Sequence, residues 1–245
     1  MPDYREIAPS PRLAASVECF WSGRFDGTHR VLPDGCADIL LTQSRGTASL
    51  AAIGAMTGYR DIGAEPGQTF FGVRFRPGCW AGRLGMPADR ITDLTLPLEL
   101  VWGRRSGELL ERLASAGSDE RRAAIFESLF DSPPAPSPVQ RAIRWMEQRH
   151  GAVSLDEAAD QCALSVRQFR RLCLAETGLT PKFLARVMRF RHAVARLATV
   201  PAADLALDCG YYDQSHLINE FRELSGRPPA AYLADFSNRG PAVVA

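Results

Sequence analysis

The stretch SLDEAADQCALSVRQFRRLCLAETGLTP (Ser154–Pro181) decides the fold of the second half of this 245-residue chain. A related stretch, ADLALDCGYYDQSHLINEFRELSGRPP (Ala203–Pro229), follows it. The two copies are offset by 47 residues up to the pair Leu164 and Tyr211, and by 48 residues from the pair Ser165 and Asp213 onward. The second copy therefore has one extra residue, and it lies in the turn. A repeat of this length indicates one supersecondary unit that is used twice.

Each copy predicts a short helix, a turn and a longer helix. Ser154 and Glu157 have the spacing of a capping box, in which each side chain bonds the backbone N–H group of the other residue. Ser165 is placed to cap the second helix, and Gly178 to end it. Asp213 is the corresponding cap in the second copy. The pattern predicts two helix-turn-helix units.

The longer helix of the first copy carries three arginines on its solvent face, Arg167, Arg170 and Arg171. Guanidinium groups near a capped helix N-terminus can bond guanine O6 and N7 or bind phosphates. The alternative is a solvated basic face with no partner. The repeat favours contact with bases or phosphates, because the second copy also has a polar helix face after the same kind of short helix.

The equivalent face of the second copy has a different chemistry. Glutamine and asparagine suit adenine, isoleucine can contact a thymine methyl group, and arginine can bind a phosphate or a guanine. An exposed isoleucine alone means little. The residues on this face are Gln214, Ser215, Ile218, Asn219 and Arg222.

A connecting helix is predicted from Lys182 to Ala198, with a length of roughly 25 Å at 1.5 Å per residue. This length would hold the two units about one turn of DNA apart. A further short helix is expected to end at Asp235.

Residues 1–76 predict short antiparallel strands in a barrel-like sheet, since aliphatic and aromatic runs alternate with turn residues. Pro33, Asp34 and Gly35 form the strongest turn signal. Amphipathic helices follow. The predicted strands are 17–21, 29–32, 37–42, 49–53 and 69–75, and the predicted helices are 81–85, 97–102, 108–113 and 121–130.

The sequence therefore predicts an α+β protein with a β-rich first domain that carries helices and an all-α second domain. Asp131–Pro138 holds four prolines in eight residues and predicts a linker. The expected divisions are a first domain at 1–130, the linker at 131–138, a DNA-binding domain at 139–236 and a disordered tail at 237–245.

The composition indicates an ordinary globular protein in the cytoplasm. No apolar run approaches the ~18 residues of a membrane helix, and the first residues lack a signal pattern. Six cysteines without a C-x-x-C pair fit reduced thiols. From residue 139 onward there are 14 basic and 11 acidic residues, against 15 and 17 before it, which weakly favours an anionic partner for the second half.

Candidate metal or catalytic residues in the first half are Cys19, Cys36, Cys79 and His29. Their spacing matches no standard zinc pattern, and lone cysteines are most often small buried hydrophobic residues. We therefore expect no metal, no cofactor and no catalysis. The alternative is an enzyme in the first domain that the second domain targets to DNA.

Four residues of the first half are candidates for an effector pocket: Trp21, Arg74, Arg76 and Trp80. Aromatic rings beside a cation suit an anionic or aromatic ligand. Packing of the tryptophans in a hydrophobic core is the competing interpretation.

The second half resembles the DNA-binding domain of AraC-type (AraC/XylS) transcriptional regulators. The resemblance rests on AADQCALSVRQFRR (Ala158–Arg171), GLTP (Gly178–Pro181), RVMRFRHAVARL (Arg186–Leu197) and LALDCGYYDQSHLINEFRELSGRPPAAY (Leu205–Tyr232). It implies that the longer helix of each unit enters the major groove of double-stranded DNA, with the polar faces described above as the contact residues. It also implies contact with RNA polymerase, a homodimer and control by a small-molecule effector.

This chain departs from the family pattern at two places. It has Cys173 and Leu174 where the family usually has Phe-Lys, and Asn219 where the family often has arginine. The first half is similar to the N-terminal domain of a subset of these regulators, through LPDG (Leu32–Gly35) and FGVRFRPG (Phe71–Gly78) among other segments. The resemblance implies a domain that senses an effector or mediates dimerisation.

Overall fold

The computed structural model describes residues 3–130 and 135–239, and it has a β-rich domain followed by an all-α domain. This order confirms the α+β class. Residues 131–134 of the proline-rich linker lie outside the described residues, and Pro138 is already the first residue of a helix.

Among the residues that the structure describes, the β-rich domain has eight strands. They are β1 (Asp3–Ile7), β2 (Val17–Arg24), β3 (Gly27–Val31), β4 (Ala37–Ser44), β5 (Thr47–Ile53), β6 (Arg60–Ala64), β7 (Thr69–Phe75) and β8 (Thr95–Pro97). Six strands form an antiparallel sheet in the order β1-β2-β7-β4-β5-β8, and β3 pairs with β6 in a separate two-stranded ribbon. The sheet is therefore open, and the ribbon stands opposite one of its faces.

Three of these strands were not predicted from the sequence. β1 and β6 are short and mix charged residues with glycine or isolated apolar residues, so they lack a clear alternation. β8 includes Pro97, where a helix was predicted, and the helix begins only at Glu99. Pro97 pairs with Ala51 at the edge of the sheet, a position where proline is tolerated because no further strand needs its missing N–H group.

The face of the six-stranded sheet that is turned away from the β3–β6 ribbon packs against helices. These are α1 (Ala81–Leu84), α2 (Glu99–Trp102), α3 (Arg105–Ala114) and α4 (Asp119–Leu129), with a 3-10 turn at Ala88–Arg90. Phe126 of α4 stacks on Phe20 and on Phe71 of the sheet, each at a ring-centroid distance of 6.3 Å. The burial of these rings forms the centre of the domain core.

The all-α domain contains seven helices among the described residues. They are α5 (Pro138–Gln148), α6 (Leu155–Asp160), α7 (Val166–Thr177), α8 (Pro181–Arg196), α9 (Ala202–Asp208), α10 (Gln214–Ser225) and α11 (Pro229–Arg239). We call α6 and α7 the first unit, and α9 and α10 the second unit.

The predicted helix boundaries of both units are confirmed by their hydrogen bonds. Ser154 and Glu157 form the capping box of α6, and the hydroxyl of Ser165 accepts from the N–H of Gln168 at the start of α7. Asp213 accepts from the N–H of His216 at the start of α10. Gly178 ends α7 and Gly226 ends α10, with φ of 78° and 75°, in the left-handed region that favours glycine.

Helix α8 connects the two units and contributes to the core of each. Leu184 is buried in the core of the first unit with Phe169 and Cys173, and Phe190 is buried in the core of the second unit with Phe221. The helix has 16 residues and ends at Arg196, two residues before the predicted end.

The last helix continues to Arg239, beyond the predicted end at Asp235 and into the predicted tail that starts at Ser237. The rest of that tail, residues 240–245, lies outside the described residues. Within the part of the chain that the structure describes, no helix has both the length and the apolar character needed to span a membrane.

Candidate DNA interface and ligand cavity

Helix α7 turns one side into the core of the first unit and the other to solvent. Phe169 and Cys173 are completely buried, whereas Arg167, Arg170 and Arg171 are exposed. The predicted face therefore exists as one basic surface. Its chemistry fits guanine edges or phosphates.

Helix α10 presents the corresponding surface of the second unit. Leu217 and Phe221 are completely buried, and Ile218 is half-buried, so it offers less surface than the sequence predicted. The remaining predicted residues are exposed: Gln214, Ser215, Asn219 and Arg222.

The arginines of the connecting helix α8 form ion pairs within the protein, unlike the exposed arginines of α7. Arg186 Nε lies 2.8 Å from Oε2 of the buried Glu220, and Arg186 Nη2 lies 2.7 Å from Glu223 Oε2. Arg196 forms an ion pair with Asp208 of α9 at 2.7 Å. These pairs connect α9 and α10 to α8, in addition to the apolar core that the three helices share.

The β-rich domain touches both units at equivalent points. Thr92 Oγ1 donates a hydrogen bond of 2.7 Å to the carbonyl oxygen of Gly178, at the end of α7. Arg30 Nη1 donates one of 3.1 Å to the carbonyl oxygen of Ser225, at the end of α10. A cation and a hydroxyl are suitable partners for the partly negative C-terminus of a helix.

Each unit also receives one apolar side chain from the β-rich domain. Ala55 is buried in the core of the first unit, and Leu32 in the core of the second. Arg191 of α8 reaches in the opposite direction, with its Nη2 2.8 Å from Glu18 Oε1 of β2. The two domains are therefore joined by shared cores, hydrogen bonds and an ion pair.

A cavity of about 490 Å³ lies between the open face of the sheet and the β3–β6 ribbon. Most of its wall is apolar, formed by Phe25, Val31, Leu40, Ile62 and Phe70 among others. Its size is in the range of small-molecule sites in proteins.

One end of the cavity is polar, and we call it the acidic end, defined by Asp34, Asp38 and Arg74. Arg74 Nε lies 3.6 Å from Asp34 Oδ2 and 3.5 Å from Asp38 Oδ1. The indole N–H of Trp21 donates a 2.7 Å hydrogen bond to Asp38 Oδ1. Gly72 makes this possible, because a Cβ atom there would lie only 2.5 Å from the indole nitrogen.

Burial perturbs the ionisation of the acidic end. It raises the pKa of Asp34 to about 6, against the opposing attraction of Arg74 and Arg191, and it also raises the pKa of Asp38. Burial opposes the charge of Arg74, but Asp38 and Asp34 outweigh it and hold the pKa of Arg74 above its usual range.

Only two of the four predicted effector residues line this cavity, Trp21 and Arg74. Arg76 follows the last residue of β7, and its Nε donates to the carbonyl oxygen of Ala14 instead. Trp80 is 1% exposed in the core against the helices, as the competing interpretation held. Arg76 and Trp80 therefore do not line this cavity.

The sequence interpretation overlooked Asp34 and Asp38. Asp38 lies two residues before Leu40 on β4, and alternation along a strand places both side chains on the same face of the sheet. The signal was therefore an acid within an apolar strand, next to the Pro-Asp-Gly turn that contains Asp34.

In the first domain, Cys19 and Cys36 are buried and Cys79 is half-buried. Burial raises the pKa of Cys19 to about 12 and that of Cys79 to about 11, and it raises the pKa of Cys36 as well. Cys36 lines the cavity, as does His29, whose pKa burial lowers. Among residues 3–130 and 135–239, no group of three or more His, Cys, Asp or Glu side chains is arranged to hold a metal ion.

Comparison with known families separates the two domains. Residues 158–235 match a family described as a helix-turn-helix domain, and residues 5–97 match a domain of unknown function, DUF6597. A segment of 106 residues is 33% identical to the HTH-type transcriptional activator RhaS of Escherichia coli, in the O157:H7 and K12 / DH10B strains. The match covers 42% of this chain, and the chain spans only 37% of the length of these relatives.

Two solved structures are also similar. The DNA-binding domain of AdpA, solved in complex with a target DNA, is 27% identical and aligns over 43% of this chain and 98% of its own, with a TM-score of 0.40. Apo ToxT K231A from Vibrio cholerae is 10% identical and aligns over 96% of each chain, with a TM-score of 0.46.

Proposed function

We propose that this chain, whose all-α domain is a helix-turn-helix domain of the AraC type, is a regulator of transcription that binds DNA sequence-specifically. The observation that carries the proposal is the pair of capped helices, α7 and α10, each with one buried face and one exposed polar face. A helix with this arrangement can enter the major groove while its unit stays folded.

The two helices would read different sequences. In α7, Arg167, Arg170 and Arg171 suit guanines and phosphates. In α10, Gln214 and Asn219 suit adenine, Ser215 can bond several bases, Ile218 can touch a thymine methyl group, and Arg222 can bind a phosphate. One chain is thus expected to recognise an asymmetric DNA site.

The β-rich domain would control this activity by binding a small effector in its cavity. The proposal is supported by position, since the ribbon on one side of the cavity carries Arg30, which bonds the end of α10. An occupant that moves the ribbon would move this contact. We further propose that the regulator acts in the cytoplasm as a homodimer and contacts RNA polymerase.

Two alternatives make different predictions. In a regulator without an effector, the β-rich domain would only mediate dimerisation. In an enzyme targeted to DNA, the cavity would hold a substrate, and product would accumulate when the ligand is supplied. The buried thiols and the ion-paired Arg74 do not resemble an activated nucleophile or base, which favours a binding role.

The test is selection of DNA from a random-sequence pool by the purified full chain, followed by footprinting of the DNA that flanks its gene. We expect an asymmetric site with two half-sites about 10 base pairs apart on one face of the duplex. The double variant R170A/R171A should lose the first half-site and keep the fold. Failure to enrich any sequence would contradict the proposal, and enrichment of one half-site alone would restrict reading to one unit.

A further inference from the structure

We propose that the effector is a small organic cation, a protonated amine joined to an apolar or aromatic body, with its ammonium group at the acidic end of the cavity. This inference rests on the proposed function, because it assigns a ligand class to the same cavity. The sequence predicted an anionic or aromatic ligand from aromatic rings beside a cation; the present proposal keeps the aromatic body and changes the sign of the charge.

The first argument is the balance of charge at the acidic end. Two carboxylates, Asp34 and Asp38, share one guanidinium, that of Arg74, and all three side chains are at most 10% exposed. With both acids ionised, the acidic end carries one net negative charge in a poorly solvated place. A ligand cation would neutralise it, whereas an anion would add to it.

Among the described residues, the neighbouring cations pair mainly with carboxylates outside the acidic end. Arg191 lies behind Asp34, but its Nη2 is engaged by Glu18 at 2.8 Å, and only its Nη1 approaches the main-chain carbonyl of Asp34, at 3.4 Å. Arg60, at the cavity wall, donates to the main-chain carbonyl of Asp93 and pairs with its carboxylate. Arg60 thus pairs with Asp93, and Arg191 shares Glu18 with Arg76, so Arg191 offsets the charge of Asp34 only in part.

The second argument is a carboxylate oxygen that lacks a donor. Asp34 Oδ1 accepts a 2.8 Å hydrogen bond from the N–H of Cys36. Its Oδ2 is buried and accepts no hydrogen bond from the residues that the structure describes. An ammonium group has three donors and would satisfy this oxygen, which otherwise represents a costly buried acceptor.

An anionic ligand is disfavoured by the same geometry. To bind a carboxylate or phosphate, Arg74 would have to release Asp34 or Asp38, and the released acid would stay buried beside the new anion. Like charges at such distances repel strongly where water is excluded. The arginine therefore acts as a fixed part of the wall, and the acids act as the ligand-binding groups.

The rest of the cavity defines the body of the ligand. Phe25 stacks on His29 at 4.6 Å and contacts Phe70 at 5.6 Å, which makes an aromatic wall. Leu40 and Ile62 face the cavity from the sheet and from the ribbon. Burial of an apolar or aromatic group against these surfaces stabilises the complex by roughly 25 cal/mol per Å² of apolar surface removed from water.

The experiment compares three probes that share a phenyl ring and a two-carbon chain: 2-phenylethylamine, 2-phenylethanol and 3-phenylpropionate. Binding to the purified full chain is measured by calorimetry and by tryptophan fluorescence, since Trp21 lies beside Asp38. We expect the amine to bind at least about tenfold more tightly than the alcohol, and the carboxylate more weakly than both. Equal binding of amine and carboxylate, or no binding of any probe, would overturn the proposal.

Variants locate the site. D34N and D38N should each remove most of the advantage of the amine over the alcohol, while D26N, which neutralises an exposed acid at the start of the ribbon, should leave it unchanged. Circular dichroism checks folding, and the comparison of probes on the unmodified chain stands even if one variant fails to fold. An amine advantage that survives in both folded variants would place the cation elsewhere and overturn the assignment.

DNA affinity for the selected site is measured in the same preparations. Intact DNA binding without amine selectivity would overturn the ligand class and leave the proposed function standing. If the unmodified chain did not bind DNA sequence-specifically, that result would instead contradict the proposed function itself.

Discussion

The hydroxyl of Thr92 donates a 2.7 Å hydrogen bond to the carbonyl oxygen of Gly178, the residue that ends α7. Helix α10 ends at Gly226, the repeat equivalent of Gly178, and Arg30 donates to the carbonyl oxygen of the preceding residue, Ser225. The β-rich domain thus holds the two units at matching positions, although it uses unrelated segments to do so.

We expect T92V to lower the free energy of unfolding by about 1 kcal/mol, because valine keeps the shape of threonine but leaves the Gly178 carbonyl without this donor. Urea unfolding of the full chain measures the change. T199V is the matched control, since the Thr199 hydroxyl bonds the Arg196 carbonyl at an exposed position where water can replace it. Equal stability of T92V and the unmodified chain would show that the contact is energetically unimportant.

Substitution of the α7 arginines should separate base contacts from phosphate contacts. If Arg170 or Arg171 reads a base, its replacement by alanine should cost about 1–3 kcal/mol on the selected site and relax specificity there. If it binds phosphate, affinity for all sequences should fall, and the salt dependence of binding should decrease by about one counterion. The exposed Arg104 of the β-rich domain provides the control R104A. Unchanged affinity of both α7 variants would exclude this surface from the interface.

The second helix should contribute discrimination more than electrostatic affinity. We expect N219A and Q214A each to reduce the preference for one base pair by about 1–3 kcal/mol, because a bidentate amide contact to adenine would be lost. Binding to random-sequence DNA should hardly change, since neither residue is charged. The measurement is a competition series over all single-base variants of the selected site, and a uniform loss across that series would contradict base reading.

Asp34 should make the protein less stable as the pH rises. Its pKa is raised by burial from 3.8 to about 6, so the folded state binds this proton more tightly than the unfolded state does. The resulting penalty is absent below pH 4, develops between pH 4 and 6 and reaches about 3 kcal/mol above that range.

The variant D34N should remove this dependence, because asparagine can still accept from the N–H of Cys36 and leaves Arg74 with one carboxylate. We expect D34N to be more stable than the unmodified chain at pH 7.5 and equally stable near pH 4, as measured by urea unfolding across that range. The variant D26N, at an exposed aspartate, controls for the general effect of removing one negative charge. A constant difference between the two proteins at every pH would refute the assignment to Asp34.

The parts of the fold that the sequence predicts are those decided by neighbouring residues. Ser154, Ser165 and Asp213 cap helices through hydrogen bonds that span three residues, so their positions in the sequence nearly determine the boundaries. The solvent face of α7 follows from the spacing of Phe169 and Cys173 in the same way.

The cavity could be predicted only in part, because its wall combines distant segments. Trp21 and Trp80 have similar sequence surroundings, and only the packing of the sheet against the helices or the ribbon distinguishes their roles. Whether Arg74 can bind a ligand depends on two acids that pair with it, Asp34 from a turn and Asp38 from another strand. No local pattern could assign Leu32 to the core of the second unit, because that contact depends on how the two domains assemble.

Leu32 and Ala55 have a consequence for how this protein can be divided and recombined. Each is buried inside the core of one helical unit, among side chains that belong to that unit. A chimera that joined this all-α domain to a foreign β-rich domain would contain two unfilled hollows, each lined by apolar side chains. The two halves are therefore not interchangeable modules: a compatible first domain must bring apolar side chains of similar size to the same two places.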